Sequence, residues 1–235
     1  INGVQHRAVD LREKWVATIS TQKGCPMKCQ FCDCPKYGFH GNASVPDLGY
    51  QIHTILDQEE IKETKRFNVH FARMGEPTFN FGVLVFTEEL LRPMVRDHIR
   101  AQTIHPVVST MLPARNTLLR DFLNDWIMVK NDLYYGEAGL QLSINSTNDE
   151  QREKQFGGQS LSLDKISRMA DMFPDPVGRK YTLNFAVTQD TILDAARLSR
   201  LFDKEKFIVK LTPIHRTNAT IKNGFDVTTS YTDFD

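Results

Sequence analysis

Six short segments rich in β-branched and aromatic residues alternate with segments whose apolar residues recur at helical spacing. This alternation constrains the fold, because strands separated by helices pair in parallel and leave the helices outside the sheet. The predicted strands cover residues 15–19, 66–71, 106–110, 139–144, 181–187 and 207–211. The predicted helices cover residues 46–58, 83–100, 118–129, 162–173 and 193–202.

Two local signals refine the helices. Ser44 precedes the first predicted helix and is a candidate N-cap. Pro93 lies inside the second and should kink or split it. Because about six strand–helix units fall short of the eight that close a full barrel, the sequence predicts an α/β fold. Its expected form is a partial (β/α)6 TIM-like barrel, a parallel sheet with outer helices.

The length of 235 residues suits a single α/β domain, and we interpret residues 1–235 as one domain. The chain starts at Ile1 and stops in a polar run, so we expect both ends to be incomplete. Lys plus Arg equals Asp plus Glu at 29 each, so no global basic field indicates nucleic acid. No apolar run approaches the length of a membrane span, and no signal peptide is visible.

All four cysteines lie in one loop after the first predicted strand, which favours a reducing, cytoplasmic location over a disulfide framework. Cys25, Cys29 and Cys32 have C-x3-C-x2-C spacing. A short loop of this kind can hold three corners of a [4Fe–4S] cube. The fourth iron can then bind a chelating molecule, and S-adenosylmethionine (SAM) is a natural candidate. Phe31 offers a ring face on which its adenine could rest.

A structural zinc site on four cysteines is the alternative, because Cys34 follows Cys32 closely. Zinc sites usually combine two separated C-x2-C pairs, however, and this sequence has no second pair outside the loop. We therefore interpret Cys34 as a spare thiol beside the cluster.

Several motifs resemble the radical SAM enzymes and, within them, the RlmN/Cfr group, whose members methylate adenine in ribosomal and transfer RNA. The resemblance runs from about residue 15 to residue 215. The motifs are STQKGC at 20–25, KYGF at 36–39, MGEP at 74–77, LSIN at 142–145 and NDE at 148–150.

This resemblance implies a SAM site along the carboxyl ends of the strands, where ligands of parallel sheets gather. Gly75 and Glu76 would receive the amino group of SAM, and Ser143 would lie near its amino-acid or ribose part. Asn184 is a further candidate contact, and His215 occupies the position of an asparagine that contacts SAM in the group. We also expect four basic residues near the site: Lys23, Lys28, Lys36 and Arg73.

The resemblance further implies that a reduced cluster cleaves SAM to methionine and a 5′-deoxyadenosyl radical, with a reductant such as flavodoxin or ferredoxin. RlmN-type methylation also needs a methyl-carrying cysteine, which would fall beyond Asp235, and a resolving cysteine, whose position here is Thr18.

Three hypotheses follow. The first is a radical SAM methyltransferase acting on RNA adenine. The second uses the same scaffold on a small molecule, nucleotide or peptide without methyl transfer. The third is a non-catalytic iron–sulfur or zinc protein.

Overall fold

The structure, a computed structural model, describes residues 10–225. Its strands are Trp15–Ile19 (β1), Gln22–Gly24 (β2), Phe39–Asn42 (β3), Glu63–Phe71 (β4), Arg100–Thr110 (β5), Gly139–Ser143 (β6), Tyr181–Val187 (β7) and Phe207–Pro213 (β8). Six of them form one parallel sheet in the order β1-β4-β5-β6-β7-β8, and β2 pairs with β3 in a separate antiparallel ribbon. Within the described residues β1 and β8 do not pair, so the barrel is open, and the predicted α/β fold is confirmed.

The helices pack between and outside these strands. They are Val45–Asp57 (α1), Gly82–Val85 (α2), Leu91–His98 (α3), Leu119–Met128 (α4), Asp149–Gln155 (α5), Leu163–Ala170 (α6), Ala195–Leu201 (α7) and Asn218–Lys222 (α8). Ser44 caps α1 through a capping box with Asp47. The predicted break near Pro93 is also confirmed, because a π turn at Phe86–Leu90 separates α2 from α3. Among residues 10–225 no helix has the length and apolar character of a membrane span.

Some predicted boundaries were wrong. The third strand of the sheet starts at Arg100 rather than at 106, because its first residues pair with β4 although they are mostly polar. Sequence patterns also missed α5, α8 and the β2–β3 ribbon. These are short and carry little apolar periodicity, so tertiary contacts determine them.

Side chains alternate between two faces of the parallel sheet. The outer face, here called the apolar face, packs on the helices and holds the buried residues Trp15, Ala17, Ile19, Phe67, Val69, Phe71, Val108, Leu140, Leu142, Tyr181, Leu183 and Phe185. The concave face, here called the polar face, holds Thr18, Asn68, His70, His105, Ser109, Gln141, Ser143, Thr182, Asn184, Lys210 and Thr212, as the strand register requires.

Candidate functional site

The cysteine loop begins at a glycine that no other residue can replace without strain. Gly24 has a φ of +82°, and a Cβ there would stand 1.8 Å from the carbonyl oxygen of Gly38. The next residue, Cys25, donates its N–H to that same carbonyl at 2.8 Å. Gly24 thus fixes the direction in which the loop leaves β2.

Two distant segments hold the cysteine loop. The end of α5 and the segment after it accept one bond each: Gln30 donates its N–H to the Gln155 carbonyl (2.8 Å), and Lys28 donates its N–H to the Gln159 side chain (2.6 Å). At the other side, the amide of Ala219 in α8 donates to the Asp33 carboxylate at 2.9 Å. Restraint from both sides pre-organises the loop.

Two of the three proposed ligand thiols stand beside an apolar cluster. Met27, Met111 and Phe156 form this cluster, and Cys25 and Cys29 pack against it. Burial raises the pKa of Cys25 and raises that of Cys29 well above its ordinary value, and the neighbouring thiolates raise both further. Three thiolates this close together are unfavourable without a cation, so the donor set fits a bound metal cluster.

The fourth thiol, Cys34, lies between Cys32 and the backbone of Arg73. The Cys34 sulfur lies 3.6 Å from the carbonyl oxygen of Arg73, while the Cys34 amide donates to the Cys32 sulfur at 3.4 Å. A hydrogen bond from the Cys34 thiol lowers the pKa of Cys32 to about 7 and raises the pKa of Cys34. That Cys34 is a spare thiol beside the cluster stays a prediction.

The sulfur spacing argues against a zinc site on these cysteines. Tetrahedral zinc with Zn–S bonds of about 2.3 Å would bring its sulfurs to roughly 3.8 Å from one another. In the described part of the chain, one trio of His, Cys, Asp or Glu ligand atoms lies mutually within 4.8 Å, and it is His53, Asp57 and His98 on the outer helices. Among the described residues, no three cysteine sulfurs lie mutually within this distance, which a tetrahedral zinc ion would require.

The Gly75–Glu76 turn docks directly on the strand that leads into the cysteine loop. Gly75 has a φ of +103°, and a Cβ there would stand 2.6 Å from the Gln22 side chain. Gln22 accepts the Glu76 N–H at 2.9 Å. Asn80 adds bonds from its amide to the carbonyls of Thr21 (2.7 Å) and Ala43 (2.8 Å). Sequence analysis missed Gln22 and Asn80, although an amide three residues after Pro77 was a usable signal.

The Glu76 carboxylate is buried beside the thiols. It accepts the Thr78 hydroxyl at 2.8 Å and the Met111 N–H at 3.0 Å. Burial raises its pKa, these hydrogen bonds oppose the shift, and its charge in turn raises the pKa values of Cys25 and Cys29. A buried acid next to the loop can receive an ammonium group, because a cation would offset the cost of its burial.

Two predicted contacts, one at the carboxyl end of β6 and one in the middle of β7, are neighbours. Ser143 and Asn184 face each other in the register of β6 and β7. Beside them, Asn145 adopts a φ of +61° and accepts the Ala186 N–H at 3.0 Å. Its side-chain N–H group is buried without a hydrogen-bond partner among the described residues. An orphaned donor at this edge fits a bound polar molecule such as SAM.

Arg152 is a site residue that sequence analysis missed. It is 2% exposed, and its guanidinium donates to the carbonyls of Ser143 (3.3 Å) and Ile144 and to the Ser160 hydroxyl (2.8 Å). Burial lowers its pKa to about 10. Its sequence context, the charged run 149–154, reads as an exposed helix and gave no signal.

The remaining predicted residues lie in several different places. Phe31 is half-buried, with edge contacts to Phe156 (centroids 5.7 Å apart) and Phe225 (6.3 Å). His215 is exposed and follows β8. Of the four basic residues expected nearby, Lys28 and Lys36 line a cleft of about 490 Å³ together with Cys29 and Cys32. Lys23 instead pairs with Asp47 at 3.3 Å. The backbone carbonyl of Arg73 contacts the Cys34 sulfur.

No protein-family model matches the chain. Over 222 residues it is 26% identical to a Petrotoga mobilis protein named probable dual-specificity RNA methyltransferase RlmN, covering 93% of this chain and 59% of that protein. It is 27% identical over 203 residues to the dual-specificity RNA methyltransferase RlmN of Campylobacter hominis, covering 85% and 53%. The chain thus spans little more than half the length of these curated relatives.

Among solved structures, the fold is similar to that of a radical SAM methyltransferase from Sphaerobacter thermophilus. The TM-score is 0.65 at 18% identity, covering 91% of this chain and 59% of that one. At this identity the likeness concerns the fold. Together with the sequence relatives, it indicates an RlmN-like chain with the radical SAM fold.

Proposed function

We propose that this chain, an RlmN-like radical SAM protein, is an enzyme that binds a [4Fe–4S] cluster through Cys25, Cys29 and Cys32 and binds SAM beside it. The observation that carries the proposal is the pre-organised cysteine loop with the buried Glu76 carboxylate next to it. When bound, the cluster and SAM supply a 5′-deoxyadenosyl radical, and the protein's task is to hold and orient them.

The chain's own residues divide this task. The Gly75 carbonyl and Glu76 carboxylate would hold the SAM amino group, with Gln22 and Asn80 fixing their turn. Ser143, at the carboxyl end of β6, and its neighbour Asn184 on β7 would contact SAM, and Arg152 would hold the end of β6 through the Ser143 carbonyl. Phe31 would contact the adenine and His215 would contact SAM from the exposed end of β8. A reductant such as flavodoxin or ferredoxin would supply the electron.

The proposed target is an adenine in RNA, as the names of the sequence relatives suggest. A second candidate has its own support. At the position where the group carries its resolving cysteine, this chain has Thr18, whose hydroxyl cannot form the disulfide that releases a methylated base. Thr18 lies on the polar face beside His70. The lack of a thiol at this position favours radical chemistry on another target, without methyl transfer.

The test is anaerobic incubation of the iron–sulfide-reconstituted protein with SAM and a reductant, with and without RNA. We expect 5′-deoxyadenosine to form, and S-adenosylhomocysteine to accompany it if methyl is transferred. Deoxyadenosine alone would support the second candidate. Protein that binds one zinc and leaves SAM intact would overturn both.

Two matched cysteine variants control this experiment. Cys29→Ser removes a proposed ligand and should reduce SAM cleavage to background with loss of cluster absorbance. Cys34→Ser, two residues beyond Cys32, should retain both. Equal loss in the two variants would contradict the assignment of the three ligands.

A further inference from the structure

Two histidines and an aspartate meet on the helices that cover the outside of the sheet. One ring nitrogen each of His53 and His98 and one carboxylate oxygen of Asp57 lie mutually within 4.8 Å. The two imidazole rings stand edge to face with their centroids 4.8 Å apart, and His53 Nδ1 lies 2.8 Å from the Asp57 carboxylate. Among residues 10–225 no other trio of His, Cys, Asp or Glu comes this close together. His53, Asp57 and His98 are called the outer trio below.

The outer trio spans two helices that pack closely on each other. His53 and Asp57 are one turn apart on α1, and His98 is the last residue of α3. A Cβ at Gly49 of α1 would stand 2.9 Å from the methyl carbon of Met94 on α3, so the two backbones approach closely at this point. Both helices also contribute fully buried side chains to the same core. The core therefore fixes the positions from which the three side chains extend.

Both helices end at the same side of the sheet. Helix α1 leads to β4 and α3 leads to β5, and these parallel strands start at the register partners Glu63 and Arg100. The outer trio therefore lies towards the amino ends of the strands, whereas the proposed SAM site lies towards their carboxyl ends. The C-terminal end of a helix carries a partial negative charge that favours a nearby cation. Two such ends flank the outer trio.

The hydrogen bonds of the outer trio suit ligands of a metal ion. His98 Nδ1 lies 2.8 Å from the Met94 carbonyl oxygen. Because a carbonyl can only accept, Nδ1 carries the proton and Nε2 keeps a free lone pair. Histidines that bind metals commonly donate their other ring N–H to a backbone carbonyl in this way. In the described part of the chain no lysine or arginine pairs with Asp57, so its carboxylate is available to a cation.

We propose that the outer trio binds one Zn²⁺ ion, with His53, Asp57 and His98 as its protein ligands and water in the fourth position. Two imidazoles and a carboxylate are a donor set that zinc accepts. Bonds of about 2.0–2.2 Å to nitrogen and oxygen place tetrahedral ligand atoms roughly 3.4 Å apart. A short rotation of the exposed His53 and Asp57 side chains completes this approach.

The bound ion would tie the end of α1 to the end of α3, which makes this a structural site. It lies outside the proposed radical site, so the proposal does not depend on SAM chemistry. Zinc that binds the folded chain and not the unfolded one raises the unfolding temperature in proportion to its occupancy. Zinc binding and thermal unfolding are therefore two independent measures of the site.

The test is calorimetric titration of the full chain with zinc chloride. The cysteine loop can also bind zinc, but it is present in every variant, so the difference between variants isolates the outer trio. The wild type should bind one more zinc per chain than His98→Gln or His53→Gln, or bind that zinc at least about tenfold more tightly. Asp57→Asn should weaken binding in the same way. His40→Gln, which removes an exposed histidine outside the trio, should change nothing.

Two further measurements locate the ion. Zinc should shift the ring-carbon NMR signals of His53 and His98 and leave that of His40 in place. Zinc should also raise the unfolding temperature of the wild type more than that of His98→Gln, and the two proteins should unfold alike without zinc. Equal zinc stoichiometry and affinity in the wild type and both histidine variants would overturn the proposal. Wild-type affinity in Asp57→Asn would contradict the three-ligand site.

Discussion

Phe71 and His70 are neighbours in β4, but their surroundings have little in common. Phe71 is fully buried on the apolar face, with edge contacts to Phe86 (6.5 Å) and Trp126 (6.0 Å). His70 is half-buried on the polar face, among cations and next to Thr18 in the register. The first residue contacts the helices that cover the sheet, whereas the second faces the open interior of the partial barrel.

This difference shows where stability and chemistry reside in the fold. A closed barrel fills its interior with branched apolar side chains, and its core is then continuous through the sheet. Here the interior is polar, so the apolar face and its helices must supply most of the stability. The polar face is free to carry hydroxyl, amide and charged groups that have a functional role.

The largest effect on stability is expected on the apolar face. Phe71→Ala should lower the free energy of unfolding by about 3–5 kcal/mol, because it removes the aromatic contacts and leaves a cavity. The measurement is chemical denaturation followed by circular dichroism. A loss below about 1 kcal/mol would mean that this face is not the main core.

The same substitution on each face makes the comparison quantitative. Val69 is fully buried on the apolar face, and Val16 is 42% exposed on the polar face. Val69→Ala should cost about 2 kcal/mol and Val16→Ala less than about 0.5 kcal/mol. Equal costs would show that the polar face is packed as well.

Arg152 connects the two faces at the end of β6. It binds the carbonyls of Ser143, which is on the polar face, and of Ile144, which is fully buried. Arg152→Gln should cost about 3 kcal/mol, because the shorter amide leaves buried carbonyls unpaired. It should also weaken SAM binding, measured by calorimetry. If the variant has the stability and the SAM affinity of the wild type, Arg152 is not part of the site.

Much of the fold was predictable because it depends on local patterns. The six strands of the sheet and the Ser44 cap follow from alternation and capping chemistry, and the structure confirms them. The start of β5 at Arg100 was not predictable, since its polar first residues become strand only by pairing with β4. In helix α5, the burial of Arg152 depends on contacts with segments that lie elsewhere in the sequence.

The site was predictable where chemistry fixes residue type and spacing. The cysteine spacing and the Gly75–Glu76 turn led to residues that lie together in the structure, although their roles remain proposals. Gln22, Asn80 and Arg152 were missed because their function is to bind backbone carbonyls and amides of distant segments. The sequence shows such residues as ordinary polar ones.

Acid titration of His70 should also lower the stability of the fold. Its pKa of about 4 lies below the ordinary value of 6.5, so between these values the unfolded chain binds a proton that the folded chain does not. The contribution of neutral His70 to the free energy of unfolding should be fully present above pH 6.5 and should be lost as the pH falls towards 4. The loss is at most about 3 kcal/mol, and screening by solvent makes it smaller.

The measurement is the free energy of unfolding of the wild type and of His70→Gln across this pH range. The difference between the two isolates His70, because His105, whose pKa is also lowered by burial, is present in both. Parallel curves would mean that burial and the neighbouring Lys210, Lys14 and Arg179 do not hold His70 neutral in the folded chain.

The smallest effect is expected at Thr18, one residue before the buried Ile19 and exposed on the polar face. Thr18→Val keeps the shape of the side chain and removes the hydroxyl, so unfolding should change by less than about 0.5 kcal/mol. The ratio of S-adenosylhomocysteine to 5′-deoxyadenosine should not change either, because a hydroxyl cannot replace the resolving thiol of the RlmN route. If methyl transfer occurs in the wild type and is lost in Thr18→Val, the hydroxyl takes part in product release by another chemistry. The polar face would then hold a reacting group that resemblance to the RlmN group does not predict.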